Sequence, residues 1–235
     1  MRRAPRLRGG LGVRVPSLFC GLLLLAVAIV SLLESGLGLA PWDVLHLGIA
    51  EHTPLTIGTT TILVGLVVLS VAWALGQAPG FGTVANAIVV GLAVDGLLSI
   101  AWVSGLSERG LGPRVGVLVM GVALFGFGIA VYIAAGLGAG PRDSLMLVLS
   151  RRTGVRIAVV RATLDTAALL TGWALGGTVG IGTLAIAVLL GPSIEGSFFL
   201  LARLGLALPA SAEELAPVPE PATVPAQEPL RPSAD

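Results

Sequence analysis

A chain of 235 residues that is 55% hydrophobic and only 11% charged, with a mean hydropathy of +0.96, cannot cover itself with a water-compatible surface, which excludes a soluble globular domain. The net charge is +1 and every basic residue is arginine, so the placement of charge matters more than its sum. With no aromatics interleaved among the arginines, nucleic acid is not an expected partner, and the one cysteine, Cys20, in an apolar run, gives no disulfide framework and no cysteine metal site.

In chain order, residues 1–16 form an Arg-rich start (Arg2, Arg3, Arg6, Arg8, Arg14) ahead of an apolar stretch from Ser17 to Leu33. That pattern is shared with secretory leaders, but no small-x-small cleavage site follows Leu33 closely. The segment also recurs: Leu11, Gly12, Arg14, Val15, Leu18 and Gly21 return as Leu111, Gly112, Arg114, Val115, Leu118 and Gly121, so it is expected to be retained. A bilayer core of about 30 Å needs about 20 apolar residues per helix. Stretches at 17–39, 57–76, 82–104, 115–138, 156–176 and 182–206 meet that length. Two shorter stretches, 41–52 and 141–152, are opened by Pro41 and Pro141, and proline suits the first position of a helix. They are too short to span and are expected as half-helices, interfacial or re-entrant. Residues 105–114 form an extracytoplasmic loop between the halves. The Pro/Ala/Glu-rich segment 207–235 retains no apolar face and is expected as a disordered cytoplasmic tail.

The two halves, membrane repeat 17–104 and membrane repeat 115–206, are one unit written twice. Gly36-Leu37-Gly38-Leu39-Ala40-Pro41-Trp42-Asp43 returns at an offset of 100 as Gly136-Leu137-Gly138-Ala139-Gly140-Pro141-Arg142-Asp143, and the register persists to Gly96 and Gly196. About a third of aligned positions are identical, more than a shared apolar bias gives. Arginine placement sets the orientation. With the N-terminus in the cytoplasm, six spans put Arg142, Arg151, Arg152 and Arg156 there too, while the matching segment 40–56 outside has no arginine. Arg109 and Arg114 stand against this. Three spans per half force the halves into opposite senses, so the expected fold is an all-α membrane protein of six transmembrane helices in two inverted-topology repeats of three, each with a short half-helix after its first span.

The Gly-rich breaks are the first place for chemistry. A helix restarting at Pro41 or Pro141 presents free N–H groups and a partial positive charge. Asp43 and Asp143 can cap those groups, which is the structural reading. The functional one makes Gly38, Pro41, Asp43, Gly138, Pro141, Arg142 and Asp143 a substrate site at paired discontinuous helices, with Arg142 attracting an anion at the cytoplasmic mouth. A second clue is the ionisable residues inside spans. Asp95 and Glu195 occupy equivalent positions and are expected to face the bundle interior, either coupling a proton or cation or hydrogen-bonding between helices. Arg161 and Asp165, four apart, can pair on one helical face; the first half has Thr61 and Gly65 there, which favours a neutralised structural pair. Thr56, Thr59, Thr60, Thr61 and Asn86 could offer polar ligands, although such groups in membrane helices usually bond locally. His46 and His52 are six apart and share no helix face; Asp43, three before His46, makes a weak metal or proton site conceivable. Gly80-Phe81-Gly82-Thr83 and Gly180-Ile181-Gly182-Thr183 lack the lysine of a phosphate loop and read as tight turns. No nucleophile with a base and an orienting group is present, so no catalytic residue, metal or cofactor is assigned and the protein is not expected to be an enzyme.

The Gly36–Leu45 run followed by Thr56-Ile57-Gly58-Thr59, then Gly138–Asp143, Arg152-Thr153-Gly154 and Gly176–Thr183, resembles the YczE/YyaS/YitT family of bacterial integral membrane proteins over about residues 11–205. The resemblance implies a multi-pass inner-membrane protein of undefined biochemical role. The expected function is that of a transporter-like protein or permease for a small polar or anionic solute in the bacterial cytoplasmic membrane, with lipid and the solute as partners and homo-oligomerisation left open. The alternative is a non-transporting scaffold or accessory protein.

Overall fold

The computed structural model describes residues 6–100 and 110–208. These form eight helices, α1 (Leu11–Ser35), α2 (Pro41–Glu51), α3 (Ile57–Ala74), α4 (Phe81–Leu98), α5 (Leu111–Ala135), α6 (Pro141–Thr153), α7 (Ile157–Ala174) and α8 (Ile181–Arg203), and two-residue strands β1 (Arg6–Leu7) and β2 (Ala207–Leu208). All helices but α2 and α6 are long and apolar enough to cross a membrane, so the chain is an all-helical multi-pass membrane protein, as its hydropathy predicts.

Helix boundaries differ from the apolar limits in an instructive way. α1 and α5, 25 residues each, begin at Leu11 and Leu111, earlier than residues 17 and 115, because the Arg-bearing first turns are helical too. Each stops at a glycine in the left-handed region, Gly36 (φ 59°) and Gly136 (φ 62°), whose N–H turns back to the Leu33 or Ile133 carbonyl. The chain then runs extended until proline restarts the helix. The expected third span ends at Leu98, and its last residues 101–104, loop residues 105–109 and tail residues 209–235 lie outside the described residues. The first two residues assigned to the tail form β2, antiparallel to β1 with Arg6 opposite Leu208, so the start of α1 and the end of α8 lie on one face.

α1 and α5 cross antiparallel at the centre. Gly21 packs on Gly128 and Tyr132, and Gly121 packs on Ser31 and Leu32. A Cβ on Gly21 would sit 2.7 Å from the Tyr132 backbone nitrogen, so glycine is required for this approach. Lipid tails are as apolar as leucine, and close backbone packing of this kind is what holds helices together in a bilayer. α4 packs on α1, α8 on α5, and α3 on α4, while α2 and α6 are both inserted between α3 and α7. Trp42, Asp43, Val44 and His46 are all buried, so α2 is an inserted half-helix rather than a surface one. Trp42 meets Asp165 and Gly48 meets Gly172, so α2 and α7 run the same way; His46 meets Thr61 one helix turn beyond the start of α3, so α2 and α3 run oppositely. α3 and α7 are therefore antiparallel, and exposed Trp73 and Trp173 at their ends mark opposite ends of the bundle, as interfacial aromatic belts do.

Packing divides into a larger region around Leu18, Leu22, Leu32, Phe125 and Ile186 and a smaller one around Trp42, Val68, Ala72, Leu145 and Ala168. The halves are not identical. α3 and α4 are sealed where Gly58 lies against the Gly91 carbonyl, and a Cβ at either would clash. In the second half Ala158 replaces Gly58, a Cβ on Gly191 would meet nothing within 4 Å, and an apolar groove runs along α7 past Ala158, Ala162, Thr166 and Leu170.

Candidate functional site at the paired half-helix starts

Each break in the chain is held by the other half. Arg14 donates from Nε to the Ala135 carbonyl (2.6 Å) and from Nη2 to the Gly136 carbonyl (2.7 Å). Arg114 repeats this on Ser35 (2.7 Å) and Gly36 (2.9 Å). A cation forking across the free carbonyls of a helix C-terminus satisfies them and complements their partial negative charge. Arg114, the residue that counted against the orientation, thus has a structural reason for its place. One residue further on, the Leu37 carbonyl accepts from the Gly182 N–H (2.7 Å) and the Leu137 carbonyl from the Gly82 N–H (2.8 Å). The two Gly-x-Gly-Thr turns are therefore docking points for the opposite break, and Gly38 and Gly138 press on Thr183 and Thr83 rather than on the cavity.

The starts of α2 and α6 meet beside a cavity of about 130 Å³ at the seam between the two packed regions. Pro41, Trp42, Pro141, Arg142 and Asp143 line it together with Asn86, Tyr132, Arg161 and Asp165, over an apolar floor that includes Leu25, Ile29 and Phe125. A side pocket of about 30 Å³ shares Trp42, Asn86, Pro141 and Arg142 with it and reaches His46 and Thr61. The Arg142 guanidinium stands 5.4 Å from the Trp42 ring centroid, a cation–π distance, and makes no hydrogen bond to the described residues. The Trp42 indole N–H donates to Asp165 Oδ1 (2.8 Å), and Arg161 Nε lies 3.6 Å from Asp165 Oδ2. The Tyr132 hydroxyl donates to Asp143 Oδ2 (3.0 Å). A Cβ on Gly140 would lie 3.3 to 3.7 Å from the Tyr132 hydroxyl, Asp143 and Asn86, so these groups converge on the start of α6.

Two expectations need correction. Neither half-helix has a side-chain cap: Asp143 turns to the Tyr132 hydroxyl, while both Asp43 oxygens, 3% exposed, have no hydrogen-bond partner, with Oδ1 3.6 Å from His46 Nδ1. The difference follows from the repeat itself, which has Leu32 where Tyr132 stands and Met146 where His46 stands. Nor do Asp95 and Glu195 both face the bundle interior: Asp95 takes the interhelical hydrogen-bonding role, and Glu195 does not. Asp95 bridges α4 to α3, accepting from the Gly58 N–H (2.8 Å) and the Thr56 hydroxyl, because Gly58 and Gly91 bring those helices into contact. Glu195 is exposed on α8, where the equivalent contact is absent, and neither carboxylate lines the cavity. Arg161 and Asp165 are paired as expected, yet they do line it. Trp42, Tyr132 and the Arg14/Arg114 clamps carried no assigned role in the sequence. The signals were there: the only tyrosine in the chain sits inside a span, and an arginine recurs at an otherwise apolar helix start.

The model of the DUF6198 family, described as a family of unknown function, matches residues 13–197. The chain is 34% identical over 178 residues to "Uncharacterized membrane protein YczE" of Bacillus subtilis (strain 168), covering 74% of this chain and 80% of that protein. It is 37% identical over 176 residues to an uncharacterized protein of Haemophilus influenzae, covering 72% and 76%, and 28% identical over 168 residues to "Uncharacterized protein YyaS" of Bacillus subtilis, covering 70% and 82%. No solved structure matches. The resemblance carried by the paired Gly-Pro-Asp elements is borne out.

Proposed function

We propose that this chain, which belongs to the DUF6198 family, is a carrier for a small anionic solute in the bacterial cytoplasmic membrane, built as an inverted repeat with both termini in the cytoplasm and performing no covalent step. The observation that carries this reading is the meeting of two half-helix starts at one cavity whose apolar floor is topped by Arg142, Asp143 and Asn86. Uncapped N–H groups there present partial positive charge, and Arg142 adds a full charge with no carboxylate bonded to it. Arg161 is matched by Asp165, and Asp143 turns to the Tyr132 hydroxyl, so Arg142 is the cation left without a bonded carboxylate, and the complementary solute is an anion of few non-hydrogen atoms. In secondary transporters discontinuous helices of the two repeats hold the substrate, and one half rocks against the other. The close α3–α4 contact at Gly58 and Gly91, with no such contact at Gly191 in the second half, is an asymmetry between the halves that supports such a pair of states.

The test uses the protein in liposomes with Trp42 as its only tryptophan (Trp73, Trp102 and Trp173 changed to Phe) and acetate, sulfate and inorganic phosphate as probes. Saturable change in Trp42 emission and uptake of at least one probe are expected, with affinity at least about tenfold weaker in Arg142→Gln, since a charge-assisted contact is lost. No saturable change and no uptake of any probe would leave the scaffold reading in its place. The inverted topology has its own check. Cysteines at positions 52 and 151, in a protein with Cys20 replaced by Ser, are expected to react from opposite sides of the membrane, and labelling from one side would remove the repeat argument.

A further inference from the structure

The α2 half-helix carries a second group that the cavity reading leaves unused. His46, 3% exposed, lines the side pocket that Arg142 also lines. Its protonation pattern can be read from its neighbours. The Thr61 hydroxyl donates to the Ile57 carbonyl (2.9 Å), which commits its hydrogen, so the 3.2 Å contact between Thr61 Oγ1 and His46 Nδ1 is one in which Nδ1–H donates. The nitrogen open to a further proton is therefore Nε2. Asp43 Oδ1, 3.6 Å from Nδ1, is a buried carboxylate with no hydrogen bond, and such a group gains most when its neighbour becomes cationic.

We propose that His46 is a proton-binding site linked to an anion subsite at Arg142, so that anion and proton are taken up together. This rests on the cavity reading above and names its coupling ion. The charged groups around the imidazole are few. On its own helix there is Asp43; α6 contributes Arg142 and Asp143, α7 contributes Arg161 and Asp165, and α3 and α4 line the pocket with the neutral Thr61 and Asn86, the α4 carboxylate Asp95 being bonded to Thr56 and Gly58 at the start of α3. Arg161 and Asp165 offset each other, and Asp143 is bonded to the Tyr132 hydroxyl; burial of the imidazole opposes its charged form most, Asp43 favours the proton, and Arg142 adds to the opposition. An anion seated on Arg142 removes that added opposition. The chemistry is a proton transfer only: water delivers H⁺ to the Nε2 lone pair, one N–H bond forms, and the reverse step returns it. By linkage the proton must then strengthen anion binding by the factor with which the anion strengthens proton binding.

The chain has two histidines, so His52→Gln leaves His46 as a single reporter for histidine-selective NMR of the reconstituted protein. In that background Arg142→Gln is expected to move the His46 titration midpoint to higher pH. Sulfate or phosphate should do the same in the parent and not in Arg142→Gln. Probe affinity should be at least about fivefold higher at the acid end of the titration, the low end of measured couplings, and this pH dependence should vanish in His46→Gln, whose binding persists. An unmoved midpoint in Arg142→Gln overturns the proposal whether or not any anion binds. A midpoint that moves in Arg142→Gln but with no probe, alongside silent Trp42 emission, overturns the cavity reading and the coupling with it. Probe binding that is unchanged across the titration overturns the coupling alone.

Discussion

Gly38→Ala is expected to lower the stability of the detergent-solubilised protein by about 3 kcal/mol or more, enough to prevent folding in a marginal background. Two independent effects add. The φ of Gly38 is +123°, a conformation that side-chain-bearing residues rarely adopt. A Cβ there would also lie 2.7 Å from Thr183 Oγ1 and 2.8 Å from the backbone nitrogens of Gly180 and Thr183. Those atoms cannot retreat, because the neighbouring Leu37 carbonyl is bonded to the Gly182 N–H at the same junction. Gly138→Ala should behave alike, with φ +143° and Thr83 in the path. Gly116→Ala in α5 is the control: a Cβ there meets nothing within 4 Å, and alanine in a helix is favoured over glycine by up to about 1 kcal/mol. Thermal unfolding of the three variants decides the matter, and equal melting of Gly38→Ala and Gly116→Ala would refute the docking role of the breaks.

Removing the two arginine clamps is expected to have the second largest effect. Each guanidinium makes two charge-assisted bonds to carbonyls with no helical partner, at about 1.5–3 kcal/mol each when buried. One bond of each clamp is solvent-exposed and is discounted accordingly, which leaves about 2 kcal/mol for Arg14→Ala and the same for Arg114→Ala. The clamps lie at opposite ends of the α1–α5 pair, so the double variant should lose about 4 kcal/mol, the sum of the two. Lysine should rescue poorly, because a single ammonium cannot span two carbonyls as the planar fork does. Full rescue by Arg14→Lys would show that the fork is not needed, and a double alanine variant as stable as the unaltered protein would show that the contacts do not bear on stability.

The contrast between Asp95 and Asp165 shows how far the site was legible. Both are carboxylates in apolar spans, Asp165 with Arg161 four residues before it, and the repeat made Asp95 with Glu195 the more suggestive pair. The fold reverses their parts. Gly58 and Gly91 let α3 and α4 touch, and the touching surface absorbs Asp95 into a Thr56 and Gly58 bridge. α2 lies parallel to α7 in a way that aims the Trp42 indole at Asp165, at the seam where the cavity is. Residues 42 and 165 are far apart in sequence, and no local pattern reports their contact. The half-helix starts were legible for the opposite reason: a left-handed glycine stop and a proline restart are backbone chemistry confined to a few residues.

The sequence by itself determined the all-helical membrane architecture, the six long apolar helices, the duplication and the two restarts at Pro41 and Pro141. Each of these follows from span length, hydropathy or local backbone preference, which act over at most a few helical turns. Only the tertiary structure decided which polar groups meet. Helix insertion and crossing set those encounters: α2 and α6 between α3 and α7, Arg14 and Arg114 on the opposite breaks, Tyr132 on Asp143, and His46 between Asp43 and Thr61. Two copies of one sequence unit thus acquire different chemistry, because each copy packs against the substitutions that the other has accumulated.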